Sequence, residues 1–429
     1  MELKIPYNKI RMNIEIPDEN FQGVLESDPA GCRMEGTEQE IVERALDNPI
    51  GSQSLEELVK GKKSMVIISS DHTRPVPSHV TMPILLRRIR EANPEIDITI
   101  LIATGFHRAT THEELVQKYG EKIVAEEKII VHDSRDDAGM ADLGTLPSGG
   151  ALKLNRIAID TDLLIAEGFI ESHFFAGFSG GRKSILPGIA GRETIMKNHN
   201  LALNPGLGAG SNPEVRSANL SDSNPVHADM MEACAMVKPT FLINVVVDDN
   251  QKIISAFAGN WITAHKAACE LVDKMYGVAA REKTPLVIAS AGGYPKDLNF
   301  YQTIKTLCNA LEVVEDGGTI ILVTKSDEGF GNADTERQIA GYETMLDREK
   351  ALRENFSIGA FIGYLFAESA EKHHLIAVTG IPQEQFGTAK IHAVKTLDEA
   401  LELSRQLNGG KDLRATLLPH GANTLPKLK

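Results

Sequence analysis

Between Glu171 and Gly188 the chain reads Glu-Ser-His-Phe-Phe-Ala-Gly-Phe-Ser-Gly-Gly-Arg-Lys-Ser-Ile-Leu-Pro-Gly, and Lys197-Asn198-His199 follows soon after. Glycines at 177, 180 and 181 let a backbone come close to a ligand, and successive free N–H groups in such a loop can cradle a phosphate. Gly177, Ser179, Gly180 and Gly181 are therefore candidate contacts to a nucleotide. Gly181-Arg182-Lys183-Ser184 comes close to the ending of a P-loop. Arg182 breaks the required Gly-Lys-Ser order, the glycine spacing is short, and Pro187 interrupts the helix that a P-loop must open.

Three histidines accompany this stretch: His173 within it, His199 after it, and His107 in Gly105-Phe106-His107-Arg108. One histidine alone is more often structural, but three around one Gly-rich loop invite proton chemistry. Inverting a stereocentre requires a proton to be taken on one face and returned on the other, by two groups that titrate near neutral pH, which suits imidazole. If the substrate is a 2-hydroxy acid, removing the hydroxyl proton turns its α C–H into a hydride donor. No side chain accepts hydride, so a cofactor must. Arg74, near Asp71, and Lys305, one turn past Tyr301-Gln302, are candidate anchors for a carboxylate; each also reads as an ordinary surface charge. Gln302 and Lys305, three apart at a helix start, point the same way.

The elements that would position these residues alternate. Strands are predicted at Ser64–Ile68, Ile98–Ala103, Ile129–His132 and Leu163–Ala166, with helices near Ser78–Glu91 and Glu113–Tyr119 between them, which defines an α/β domain. Thr110 with Glu113 reads as a capping box, which puts His107 in the loop after a strand's carboxyl end, where open α/β sheets bind ligands. Phe241–Val247 and Lys252–Ala256 read as a hairpin. Near Arg281-Glu282-Lys283 the composition turns polar and the alternation restarts, with strands at Leu286–Ala289, Thr319–Val323 and Leu375–Thr379 and a helix over Leu397–Gln406. The expected architecture is α/β, with two α/β domains, an active-site cleft between them, and a C-terminal segment, including a strand at Arg414–Leu418, returning to the first domain. The boundaries are 1–281 plus about 408–429 for the cofactor-binding domain and 282–407 for the second.

Of 429 residues, 42% are hydrophobic and 24% charged, as in ordinary globular proteins, and no apolar run approaches a membrane span of about 18 residues. The start lacks the long apolar stretch of a secretory signal, so a cytoplasmic location is expected. Four scattered cysteines form no CxxC pair and argue against structural zinc or a disulfide framework. A net charge of −14 disfavours nucleic acid and anionic membranes as partners, so an anionic substrate needs local Arg and Lys.

In the block His173 to Gly188 the sequence closely resembles the lactate racemase family, whose members use a nickel-pincer nucleotide. Asp71-His72-Thr73-Arg74-Pro75, Ala103-Thr104-Gly105-Phe106-His107-Arg108, Gly293-Tyr294-Pro295-Lys296-Asp297 and Tyr301-Gln302-Thr303-Ile304-Lys305 match as well, so the resemblance spans essentially the whole chain. It implies a racemase or epimerase of a small 2-hydroxy acid. The implied cofactor, a pyridinium bis-thiocarboxylate mononucleotide, is joined to Lys183 as a thioamide, with nickel held by two sulfurs, a ring carbon and His199. That donor set suits square-planar Ni(II). By the same resemblance, His107 and His173 are the paired acid/base residues and hydride passes to the pincer carbon through a 2-oxo acid. Arg74, Gln302 and Lys305 orient the carboxylate, Asp71 assists by hydrogen bonding, and Tyr301 lines the cleft. The implied partners are the hydroxy acid and the enzymes that build the cofactor and insert nickel; self-association stays open. The family carries a tryptophan late in the second domain, whereas the one tryptophan here is Trp261 and Phe361-Ile362-Gly363-Tyr364-Leu365 occupies the expected region. A larger or doubly carboxylated substrate is the corresponding expectation. A non-catalytic nickel or nucleotide carrier is the alternative class, and a phosphotransferase a third.

Overall fold

The computed structural model describes residues 2–428 and divides into two compact units. The first comprises Pro29–Ala202 and Ala218–Lys274; the second takes the chain up to Asp28, Leu203–Ser217 and the chain from Met275 onward.

The first unit is built on a six-stranded sheet ordered Ile253–Gly259, Phe241–Val247, Leu163–Phe169, Ser64–Ser70, Asp97–Ala103, Lys128–Val131. All neighbours are parallel except the predicted hairpin of Phe241–Val247 with Ile253–Gly259. From Ser64–Ser70 the chain steps outward through Asp97–Ala103 to Lys128–Val131, and then Leu163–Phe169 enters on the opposite side of Ser64–Ser70. The strand order thus reverses between Ser64–Ser70 and Leu163–Phe169, and the crevice beyond the carboxyl ends at such a reversal is where open α/β sheets bind ligands. Leu163–Phe169 is buried at every residue, as expected for an inner parallel strand covered on both faces. Its one charge, Glu167, is 1% exposed and accepts hydrogen bonds from the hydroxyls of Ser69, Ser78 (3.0 Å) and Thr81. Glu167 therefore ties together the end of one strand, the start of the helix Ser78–Ala92 and the strand next door.

The predicted capping box is displaced by one residue. Thr110 is buried with its hydroxyl against His72 Nδ1 at 3.1 Å, so the cap falls to Thr111, whose Oγ1 accepts from Glu114 N–H while Glu114 accepts from Thr111 N–H. Helix His112–Tyr119 begins there, and His107 still lies in the loop before it.

In the second unit, six parallel strands are ordered Ile391–Val394, His374–Val378, Val314–Val323, Thr284–Ser290, Ala415–Leu418, Phe21–Val24. Ala415–Leu418 thus lies inside the second sheet, between Thr284–Ser290 and Phe21–Val24, and does not return to the first domain; the strand after it, Leu425–Leu428, pairs with Gly277–Ala280 in the same unit. The physical reason is burial: Ala415 and Leu417 join Leu286, Ile288 and the hairpin residues Ile5, Ile14 and Ile16 in one apolar cluster, which a four-residue strand cannot form alone. The N-terminal residues and Leu203–Ser217 also depart from the expected boundary. Gly208 and Gly210 donate to the buried Glu349 carboxylate at 3.0 and 3.2 Å, and Ser211 N–H donates to Glu368 at 3.0 Å.

Phe361 and Tyr364, expected near substrate, are buried on helix Ile358–Lys372. Phe361 stacks on Phe356 with centroids 5.6 Å apart, and the Tyr364 hydroxyl donates to Glu349 at 3.3 Å. They pack within their own unit. Tyr301 and Gln302 lie on a short 3-10 turn, Phe300–Thr303, capped by Asn299, and Lys305 falls in the first turn of the helix Ile304–Leu311 that follows.

Replacing Glu167 with Ala strands buried hydroxyls, and the expected loss of stability is about 2–4 kcal/mol. Denaturant unfolding followed by circular dichroism measures it, and an unchanged midpoint would contradict the tie assigned to Glu167.

Candidate active site

At the carboxyl end of Ser64–Ser70, the buried Asp71 accepts a hydrogen bond through Oδ2 from His107 Nδ1 at 2.6 Å, and through Oδ1 from the Thr73 hydroxyl at 2.7 Å and the Thr73 N–H at 3.1 Å. Burial by itself would raise the Asp71 carboxyl; the bonds and charge of His107 and the bonds of Thr73 outweigh it and hold it below the ordinary value. A carboxylate at Nδ1 selects the Nδ1–H tautomer of the neutral ring, in which the lone pair is on Nε2 of His107. The His107 side chain is 40% exposed, so that lone pair can meet a solute. Arg74, three residues along, is exposed and makes no ion pair among the described residues, unlike Arg108, which grips Glu114 at 2.5 and 2.8 Å.

His173 has the opposite arrangement. It sits in the tiny hairpin Ser172–His173 with Gly177–Phe178, and its Nδ1 accepts from the backbone N–H groups of Phe175 (3.2 Å) and Ala176 (3.3 Å). Backbone amides can only donate, so Nδ1 carries no proton and Nε2 bears it.

His199 lies near the end of helix Arg192–Asn200, and it is reached by the phenylalanines that neighbour the two histidines in sequence. Phe106, beside His107, meets the His199 ring edge-on at 5.9 Å, and Phe175, two residues past His173, does so at 4.9 Å. Gly105 N–H donates to Gly188 O at 3.0 Å, joining the His107 loop to the end of the Gly-rich segment. Burial, and after it the ammonium of Lys183, pushes the His199 imidazole down to about 3. His199 is therefore neutral at physiological pH, and Lys183 acts on it electrostatically. His107, His173, Lys183 and His199 thus gather in the first unit, while Tyr301, Gln302 and Lys305 belong to the second.

The Gly-rich loop is more self-contained than its composition suggests. Ser179 N–H donates to Glu171 O at 2.9 Å and Gly181 N–H to Asn244 Oδ1 at 3.0 Å, and the Ser179 hydroxyl bridges Glu171 N–H and Phe169 O at 2.8 Å each. The positive-φ glycines face protein. A Cβ on Gly177 would lie 2.5 Å from Asn219 O, and one on Gly181 2.5 Å from the His265 ring. The amides of Ser179 and Gly181 are thus already bonded within the protein, and Gly181–Ser184 is one 3-10 turn, so no P-loop forms.

Sequence reasoning missed what holds this loop. Arg182, fully buried, donates to the carbonyls of Phe178 (2.9 Å) and Ala176 and, through Nε, to His227 Nδ1 at 3.1 Å; no carboxylate pairs with it among the described residues. Burial lowers it to about 10. His227 and His265, packed against it, fall to about 3, first by burial and then by its charge. Only the position of Arg182 inside the motif could have drawn attention to it.

Fold and site together define a two-unit α/β protein in which His107, His173, Lys183 and the buried, neutral His199 all belong to the unit whose sheet carries the switch point. Residues 7–210 match the lactate racemase N-terminal domain and residues 279–425 the lactate racemase C-terminal domain. The chain is 43% identical over 435 aligned positions to a lactate racemase of Lactiplantibacillus plantarum, covering 99% of each. It is 40% identical to one of Thermoanaerobacterium thermosaccharolyticum, covering 100% of this chain and 99% of that one. The solved structure of the lactate racemase apoprotein from the latter organism superimposes with a TM-score of 0.87 over 100% of both chains. A Thermotoga maritima protein at 20% identity and a TM-score of 0.62 shares the fold. The chain belongs to the lactate racemase family.

Acid should destabilise the first unit. His199, His227 and His265 titrate at about 3 when folded, against an ordinary value of 6.5. The unfolded chain then binds more protons between those values, so stability is complete above about 6.5 and falls as pH drops toward 3. Thermal unfolding between pH 7.5 and 5 should show a falling midpoint; a flat profile would mean the buried imidazoles are wrongly described.

Proposed function

We propose that the chain is a nickel-dependent racemase of a small 2-hydroxy acid, with lactate, named for its relatives, as the first substrate to test. The observation that carries this reading is the complementary Nδ1 partnering of His107, bonded to a carboxylate, and of His173, bonded to backbone amides, in the same unit as the neutral His199.

The residues fit the family's cofactor. Nickel requires a neutral imidazole, which burial of His199 supplies, and Lys183 lies in the same cluster with an amine able to form the thioamide tether. When bound, the nickel-pincer nucleotide supplies the hydride acceptor that side chains lack. Ser179, Gly180 and Gly181 shape the loop that presents Lys183; with the amides of Ser179 and Gly181 already bonded to Glu171 O and Asn244 Oδ1, Gly177 and Gly180 remain the candidate contacts for the nucleotide. Arg74 in the first unit is the proposed anchor of the substrate carboxylate, able to take it through two parallel hydrogen bonds; the roles of Tyr301, Gln302 and Lys305 rest on the family resemblance alone. His107 Nε2 removes the hydroxyl proton, while Asp71 holds the ring's tautomer and favours the imidazolium that forms. His173 presents a proton to the same oxygen from the other side. A planar 2-oxo acid between these two histidines has lost its stereochemistry, and either face can be restored. The chain works in the cytoplasm with the enzymes that make the cofactor and insert nickel.

Cofactor-loaded protein should carry about one nickel and a mass adduct on Lys183 and should racemise single-enantiomer lactate, followed by optical rotation. Lys183→Ala should lose adduct and activity together, and a fully active, unmodified, nickel-free chain would end the proposal. His107→Gln should lower kcat/KM by about 10²–10⁴. Asp71→Asn, by permitting the wrong tautomer, should lower it by a comparable factor of about 10²–10⁴. Because the equilibrium constant of a racemisation is one, both enantiomers must lose the same factor. A variant at 107 with unaltered function would favour a cofactor carrier.

A further inference from the structure

His199 is approached from behind by a chain of two side chains with no role in the site described above. Asn198 is fully buried, and its Nδ2 donates to Val226 O and to Asp229 Oδ2, both at 3.1 Å. With acceptors on either hand, that end of the amide must be the NH₂ group, so the amide orientation is determined and Oδ1 faces the other way. Oδ1 lies 3.1 Å from His199 Nδ1. An amide oxygen can only accept, so Nδ1 of His199 must carry the proton.

We infer that Asp229 and Asn198 form a carboxylate–amide–imidazole relay that positions His199 for metal binding, locking it as the Nδ1–H tautomer with Nε2 bare. Neither residue touches nickel; both act through His199. The inference rests on the proposed ligand role of His199 and extends it to two further positioning residues. Metal-bound imidazoles generally donate their second N–H to a carboxylate or carbonyl, which orients the ring and raises the basicity of the ligating nitrogen. Here the amide of Asn198 is interposed and Asp229 polarises it. Asp229 is 5% exposed and its Oδ1 has no hydrogen-bond partner among the described residues, so the Asn198 amide is the side-chain donor its carboxylate engages. Asp229 sits on helix Pro225–Val237, two residues after His227, which receives the Arg182 bond; one helix therefore braces both Lys183's loop and the His199 ring.

The test begins with the full-length apoprotein labelled with ¹⁵N-histidine, in which long-range ¹⁵N–¹H spectra distinguish the two neutral tautomers. His199, assigned by His199→Gln, should show a protonated Nδ1 and a bare Nε2; the reverse pattern overturns the relay. Asp229→Leu should convert this resonance to a mixture of tautomers, and in cofactor-loaded protein it should accelerate nickel loss to EDTA by about 10–100-fold. Asp229→Asn, which can still present an oxygen to Asn198 Nδ2, should keep the tautomer and most of the retention. If Asp229→Leu does not fold, Asn198→Ala tests the same link with a smaller change. A folded variant of either kind with an unchanged His199 tautomer refutes the proposal. The tautomer measurement needs no nickel, so absence of nickel from the wild type would sink the racemase reading while leaving the relay to be judged on its own.

Discussion

A guanidinium buried without a carboxylate is the constraint on which the site depends. Arg182 is 0% exposed, and its charge is met by backbone carbonyls and the lone pair of His227. Desolvating such a cation is costly unless its N–H groups find acceptors, and here both terminal nitrogens bond to carbonyls of the loop while Nε–H bonds to His227. The carbonyls of Ala176 and Phe178 are drawn toward one point, and Gly177, Gly180 and Gly181 are needed because the resulting turns require positive φ or leave no space for a Cβ. Lys183 follows Arg182 directly, so the clamp that closes the loop also directs the lysine. A lysine at 182 could not serve, since a point charge lacks the planar fork that reaches separated acceptors.

Burial keeps His199 neutral, and hydrogen-bonding neighbours select the tautomer of each histidine in the cluster. An imidazole removed from water stays neutral, and a neutral imidazole must have one nitrogen protonated and one bare. At each of three positions a different neighbour makes the choice: a carboxylate for His107, backbone amides for His173, an asparagine oxygen for His199. Proton transfer and metal ligation both require that choice to be made before the reaction, because a histidine in the wrong tautomer presents the wrong group to its partner. The partners lie two to thirty-six residues from the rings they control or directly beside them in sequence, so no single spacing rule reveals them.

The division into units follows from where small elements can bury their apolar faces. The four-residue strand Ala415–Leu418 pairs on one side with Thr284–Ser290 and on the other with Phe21–Val24, so strands from near both ends of the sequence are built into the second sheet. Leu203–Ser217 joins them because the carboxylates of Glu349 and Glu368 accept its backbone amides. The sequence pattern shows that such strands exist; it does not say which sheet accepts them, because pairing partners are chosen by shape and burial at long range.

Local periodicity and composition were sufficient for the alternating strands and helices of both units, the hairpin after Phe241, and the placement of His107 after a strand, since each depends on neighbours within a few residues. The motif around His173 and Lys183 was likewise legible, because its residue types are chemically unusual together. Tertiary structure alone decided the strand order that creates the switch point, the second-sheet home of Ala415–Leu418, and the one-residue shift of the helix cap when Thr110 was drawn to His72. It also turned Arg182 from a disruption of a motif into its clamp, and assigned Asp71 to His107 and Asp229 to the Asn198 amide. These are long-range pairings of buried polar groups, and a polar side chain's partner is set by which surfaces exclude water together, a property that no local stretch of residues contains.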